Sequence, residues 1–181
     1  MGASLLWKGR LERPGRWTTS GTCIPRPSRR SLCNMISVDT NILLYAYCEA
    51  APKHSQAKAF LKSLANLEDV GLSEFVLSEF YLHLRNPAVL DTPLEPAEAV
   101  EVIQTYRQHP KWRVLGFPPH SPVIHTSLWN AASATGFARR RIYDLRTALC
   151  LQAFGVTEFA TSNVKDFEGC GFGKVWNPLG A

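Results

Sequence analysis

At 181 residues the chain has the length of a single domain, enough to bury a core without disulfide or metal staples. Hydrophobic residues make up 45% of it, yet no window holds the 18 or so uninterrupted apolar residues that a membrane span needs. The formal charge of +5 is local: residues 1–34 carry seven Lys and Arg against Glu12 alone, and the remaining 13 basic and 14 acidic side chains nearly cancel. The high overall charge is therefore no evidence that the folded part binds nucleic acid. The five cysteines (Cys23, Cys33, Cys48, Cys150, Cys170) are odd in number and form no C-x-x-C pair. That speaks against a disulfide framework or a zinc site and for a reducing, cytoplasmic setting.

Residues 1–34 are rich in Arg, Ser, Thr, Pro and Gly and show no sustained periodicity, so they read as a disordered basic extension. The apolar run at 3–7 is too short for a secretory signal. A twin-arginine signal at Arg29-Arg30 would require the next segment to be removable, and an organellar presequence conflicts with three prolines. The simplest expectation is that translation starts at Met35, that 1–34 derive from a start codon placed too far upstream, and that the domain occupies 35–181.

From Met35 on, short apolar strands alternate with helices. A strand over 35–38 stops at Asp39, and a helix follows over 42–47, with Thr40 and Asn41 expected to accept hydrogen bonds from its first free amides. An amphipathic helix spans 53–65, with Ala57, Phe60, Leu61 and Leu64 on one face. A strand at 70–72 leads through Ser73 into a helix over 74–84, which stops before Asn86-Pro87 because a residue preceding proline avoids helical angles. Pro96 opens a helix over 97–107. Then come a strand at 112–115, a helix at 122–135 and a helix at 143–154 closed by Gly155, with final strands at 157–161 and 174–176. Such alternation implies a three-layer α/β/α fold around a mostly parallel sheet of four to five strands.

In an open parallel sheet, ligands collect at the carboxyl ends of the strands. Asp39 stands there, although a helix cap explains it equally well. Glu79 lies beside the apolar stripe of its helix, where pairing with His83 or Arg85 is the plain alternative. Asp144 follows Arg139-Arg140-Arg141 and opens a helix; a cap beside a solvated basic loop is again the alternative, phosphate contacts the functional one. Asp166 sits in the loop after the strand at 157–161, where a turn aspartate would be ordinary. Together, three of them would sit at one edge of the sheet, and the fourth, Glu79, on a helix that could cover it. At an effective dielectric of ~20, one like-charge pair at ~4 Å costs about 4 kcal/mol. Such crowding is tolerable only with a cation or bound protons, and oxygen donors suit Mg²⁺ or Mn²⁺ rather than zinc.

The segments Met35-Ile-Ser-Val-Asp-Thr-Asn-Ile-Leu, Leu77-Ser-Glu-Phe-Tyr, Asp144-Leu-Arg-Thr-Ala-Leu and Ala160-Thr-Ser-Asn-Val-Lys-Asp-Phe, with Val175-Trp-Asn-Pro-Leu at the end, resemble the PIN-domain toxins of the VapC type, in that family's order and spacing. The likeness runs from Met35 to Leu179. It implies a Mg²⁺-dependent ribonuclease with catalytic acids Asp39, Glu79 and Asp144 and a fourth placed at Asp166: many relatives carry an acid where this chain has Asn163, while others have Asn there and the acid at the position of Asp166. It also implies a toxin–antitoxin system, a small VapB-like antitoxin that folds over the site, a homodimer, and RNA as substrate.

On the chemistry alone, Asp39 and Asp144 would be the main ligands of Mg²⁺, with Mn²⁺ able to substitute. Glu79 would act as base or hold solvent, and Asp166 would complete a second, weaker site. Thr40 and Asn41 would fix the loop or touch the scissile phosphate, while Arg139, Arg140, Arg141 and Arg146 would grip the backbone. A haloacid-dehalogenase-type phosphatase would want an acid at position 41, which is Asn. A non-cleaving PIN-like module that binds RNA or protein is the alternative of another class. No Walker loop, dinucleotide loop or G-x-S-x-G elbow occurs, and the five histidines lack metal-site spacing.

Overall fold

A computed structural model describes residues 34–180, which lie in one compact unit, Leu32–Ala181. The basic stretch before Asn34 lies outside the described residues. In chain order the elements are β1 (Met35–Val38), α1 (Thr40–Tyr47), α2 (His54–Leu64), β2 (Gly71–Ser73), α3 (Glu74–Leu84), α4 (Pro96–Arg107), β3 (Arg113–Leu115), α5 (Ser121–Ala132), α6 (Arg141–Ala153), β4 (Val156–Ala160), α7 (Val164–Phe167) and β5 (Lys174–Trp176).

All strand pairings are parallel. β1, β4 and β5 form one sheet in the order β1-β4-β5, and β2 pairs with β3 in a second. A single bridge, Ile36 to Val70, joins the two, so the five strands run β3-β2-β1-β4-β5. The expected central sheet thus exists but is hydrogen-bonded as three strands plus two. Gly71 explains the close approach on the smaller side: a Cβ there would meet Leu115 Cδ1 at 2.6 Å and Met35 Sδ at 2.9 Å.

The pleat distributes the side chains between two cores. Ile36, Val38, Ala160 and Trp176 join the cluster with Ile42, Leu72, Leu77 and Phe80, under α1 to α4. Met35, Val156, Phe159 and Val175 join the other, with Ala148, Leu151 and Phe167 from α6 and α7. Alternation sends Phe159 and Ala160, and Val175 and Trp176, to opposite faces, which produces the three layers; a register shift between Met35 and Ile36 interrupts it near Val156. Phe159 is wholly buried, tilted against Phe167 at 4.6 Å and stacked on Phe172 at 5.1 Å between centroids. Burying each such large side chain contributes about 1.5–3 kcal/mol.

Several boundaries differ from the sequence expectation. α1 begins at Thr40, not 42, because Asp39 is itself the cap: its Oδ1 accepts from the Thr40 amide at 2.8 Å. Asn41 donates to Asp39 instead of accepting from the helix. α6 begins at Arg141, two residues before the expected 143, and Asp144 lies in its first turn. α5 stops at Ala132 rather than continuing to 135. The loop after β4 contains a short helix, α7, that carries Asp166. Gly155, at φ 87°, closes α6 in the left-handed conformation that favours glycine.

Candidate active site

Because β1 and β4 are parallel neighbours in register, with Val38 opposite Ala160, the residues that leave them stand side by side. The Asp39 amide donates to Ala160 O at 2.9 Å and the Thr161 amide to Trp176 O at 3.0 Å, so the ladder runs one residue past each strand. Asp39 and Thr161 are thereby fixed by backbone bonds at the carboxyl edge, the position sequence reasoning chose for the first acid.

Asp39 is 9% exposed and its carboxylate accepts three hydrogen bonds. Oδ1 takes the Thr40 amide at 2.8 Å; Oδ2 takes Asn41 Nδ2 at 2.6 Å and Thr161 Oγ1 at 2.5 Å. Burial pushes its pKa up from 3.8 to about 6. The bonds from Thr161 and Thr40 oppose that rise, and the charges of Glu79 and Asp144 add to it. Desolvation outweighs bonding here.

Thr161 is the residue that sequence reasoning missed. It is fully buried, and its hydroxyl, besides donating to Asp39, accepts from the Asn163 amide at 2.9 Å and from Asn41 Nδ2 at 3.1 Å. Asn41 Oδ1 in turn accepts from the Ser162 amide at 3.1 Å, so the loop after β1 and the loop after β4 are tied together. The available signal was a Thr at a strand end facing another strand's acid, a pairing that local pattern does not reveal.

Glu79, on the middle turn of α3, is 59% exposed at its side chain. Thr40 Oγ1 donates to its Oε2 at 2.8 Å, while His83 lies 3.9 Å from Oε1. The pairing with His83 and the approach to Asp39 therefore coexist. Asp144, on the first turn of α6, is half-buried. Its pKa is raised by desolvation first, then by Asp166 and Glu79, and Arg141 pulls it back. Asp166 is exposed on α7.

These acids line one cleft of about 650 Å³. Asp39, Glu79, Asp144 and Asp166 share its wall with Arg140, Arg146, Asn163, Phe75 and Tyr143. Thr40 and Asn41 lie beneath, bonded to the acids. Arg139 and Arg141 do not line the cleft; Arg141 bears on Asp144 and on Cys170. Among the described residues, no three His, Cys, Asp or Glu side chains converge closely enough to form a ready ion cage. The donor set still fits a hard divalent cation: the acids offer oxygen only, and burial, with their mutual charges adding to it, raises the pKa of Asp39 and Asp144. Mg²⁺ commonly binds through one or two carboxylates and keeps several waters, so a tight cage is not required.

Comparison with known proteins follows the same lines. The PIN domain profile matches residues 36–162. The chain is 46% identical over 145 residues to Ribonuclease VapC24 of Mycobacterium tuberculosis (strains CDC 1551 / Oshkosh and H37Rv), covering 80% of this chain and 97% of the relative. Among solved structures it resembles VapC20 of Mycobacterium tuberculosis, described as a Sarcin-Ricin loop cleaving toxin, at 18% identity and a TM-score of 0.56, over 76% of this chain and 95% of that one. It also resembles FitAcB from Neisseria gonorrhoeae at 24% identity and a TM-score of 0.57, over 81% and 100%. A third likeness is to FitAB bound to an IR36 DNA fragment, at 23% and 0.57, over 81% and 97%. At these identities the structural likenesses speak to the fold alone.

Proposed function

The chain belongs to the PIN-domain family, and from that premise we propose that its cleft hydrolyses RNA phosphodiester bonds with a divalent cation, as the toxin of a toxin–antitoxin pair. The observation that carries this reading is the buried Asp39 carboxylate, fixed between the ends of β1 and β4 and electrostatically coupled to Glu79 and Asp144 in one cleft. The 46% identity to a named ribonuclease over nearly all of that relative's length supports the reaction class. On this reading residues 35–181 are the catalytic domain.

Asp39 and Asp144 would hold Mg²⁺ or Mn²⁺, and Asp166, which bears on Asp144, would complete a second, weaker site. When bound, the cation would offset the repulsion among the acids, polarise the phosphate and acidify a water for attack. The protein supplies the rest. Asn41 and Thr161 hold the Asp39 carboxylate in one orientation. Glu79, which accepts a hydrogen bond from Thr40, would take a proton from the attacking water. Arg140 and Arg146 line the cleft and would neutralise substrate phosphates, and Arg139 and Arg141 would extend that contact along the strand. Asn163 shares the wall, but as an amide it adds no charge, so the fourth acidic role falls to Asp166.

A small VapB-like antitoxin covering the cleft and a homodimer complete the proposal. Exposed Leu82 and Val100, on α3 and α4, offer apolar surface for protein contacts. The test is cleavage of a mixed RNA pool by the purified protein in Mg²⁺, against EDTA and an Asp39→Asn variant. The expected result is cutting by the wild-type protein in Mg²⁺ only. RNA binding without cleavage in Mg²⁺ would identify a non-cleaving module instead.

A further inference from the structure

Three aromatic side chains at or beside the cleft, Phe75, Phe117 and Tyr143, have no part in the hydrolysis described above, and two of them hold Arg146. Phe117, in the loop after β3, is 79% exposed, the most exposed large apolar side chain among the described residues; Tyr143, next to Asp144, is 62% exposed. Neither ring is loose. Phe117 stands edge-on to Phe75 with centroids 5.4 Å apart at 87°. The Arg146 guanidinium lies 4.4 Å over the Phe75 ring and 5.5 Å from that of Tyr143. Its Nε is buried without a hydrogen-bond partner, so aromatic faces rather than an acid hold this arginine. Phe75, Tyr143 and Arg146 line the same cleft as the four acids.

Resting on the ribonuclease reading above, we propose that Phe117 and Tyr143, braced by Phe75 and Arg146, form a stacking platform for the bases of a single-stranded RNA whose scissile phosphate lies at the carboxylates. Large rings left in water forgo the burial that would otherwise stabilise them, and a nucleobase face restores it. Planar rings and guanidinium groups stack on any unpaired base, whereas a duplex keeps its base faces occupied. A cleft lined by acids together with rings and a guanidinium offers partners for both the phosphates and the bases of a strand. The platform would select for unpaired RNA and set its register relative to the acids.

The experiment uses oligoribonucleotides carrying 2-aminopurine at successive positions, whose fluorescence is quenched by stacking. Binding is measured in Mg²⁺ on the Asp39→Asn protein, so that the RNA stays intact, and cleavage is measured separately on the wild-type background. At one or two positions the label is quenched on binding. Adding Phe117→Ala or Tyr143→Ala removes that quenching and weakens binding by about 5- to 100-fold. Phe117→Tyr retains both, and the same sequence in a duplex binds more weakly. Both rings are exposed, so the substitutions leave the core intact. RNA that binds with no quenching at any position, or alanine variants that bind as tightly as their parent, would overturn the proposal. So would alanine variants that keep their RNA affinity but fail to bind a protein partner, which would assign the surface to that partner. Quenched binding with no cleavage by wild-type protein would sink the ribonuclease reading and leave the platform standing. Absence of any RNA binding would end both.

Discussion

Thr161 donates a 2.5 Å hydrogen bond to the carboxylate of Asp39, from a position 122 residues further along the chain. The bond joins the exits of two parallel strands and holds the most buried acid of the cleft in place. If it matters as the geometry indicates, Thr161→Val should destabilise the fold by about 1.5–3 kcal/mol, the usual worth of a hydrogen bond to a charged group. The same change should push the Asp39 pKa above about 6. Activity would then be lost at a higher pH on the acid side than in the wild type. Chemical denaturation and a pH–rate profile read the two effects separately; an unchanged acid limb would count against the role of this bond.

Replacing Asp39 by Asn removes the charge and keeps the shape. Cleavage in Mg²⁺ should fall on the order of 10²–10³-fold, the scale of losing one preorganised electrostatic group, with the circular dichroism spectrum unchanged. A variant that still cut RNA at the wild-type rate would rule the mechanism out.

The same substitution bears on stability, with a sign fixed by linkage. Asp39 has a folded-state pKa of about 6 against an ordinary 3.8, so the folded protein binds that proton more tightly than the unfolded chain does. The stability from this group is present at low pH and is lost as pH rises through that interval. Above it, keeping Asp39 ionised costs roughly 3 kcal/mol in cation-free protein. In EDTA at pH 8, Asp39→Asn should therefore be more stable than wild type by about 1–3 kcal/mol, the amide recovering only part of the bonding. The difference should shrink toward pH 4. Melting temperatures of both proteins across that range provide the check.

Cation binding should reverse the cost. Wild-type protein in Mg²⁺ at one hundred times its dissociation constant gains about 2.7 kcal/mol by mass action. The gain should vanish in EDTA and be much smaller in Asp39→Asn and Asp144→Asn. Equal melting temperatures of the wild-type protein with and without Mg²⁺ would contradict a cation site in this cleft.

Below the site, Phe159 anchors β4, which leads to Thr161, and packs against Phe167 and Phe172. Phe159→Ala should cost about 3–5 kcal/mol. Because Phe159 does not line the cleft, any activity that survives should show the wild-type pH profile. Urea denaturation gives the first quantity and a pH–rate profile the second.

What the sequence determined by itself was local. Apolar runs of strand length followed by helical spacing set the alternating order of elements, and Asp39 at the end of β1 and Glu79 within α3 were legible from their neighbours. The parallel sheet followed from that alternation. What only tertiary structure decided were relations between distant residues: Thr161 under Asp39, Thr40 bracing Glu79, and Arg146 lying on Phe75. The helical first turn under Asp144 and the short helix carrying Asp166 also depend on packing against β4 and β5. The physical reason is one of range. Periodicity and capping are set by residues within about a turn of one another. A carboxylate's partners and its desolvation are fixed only when strands from opposite ends of the chain come into register.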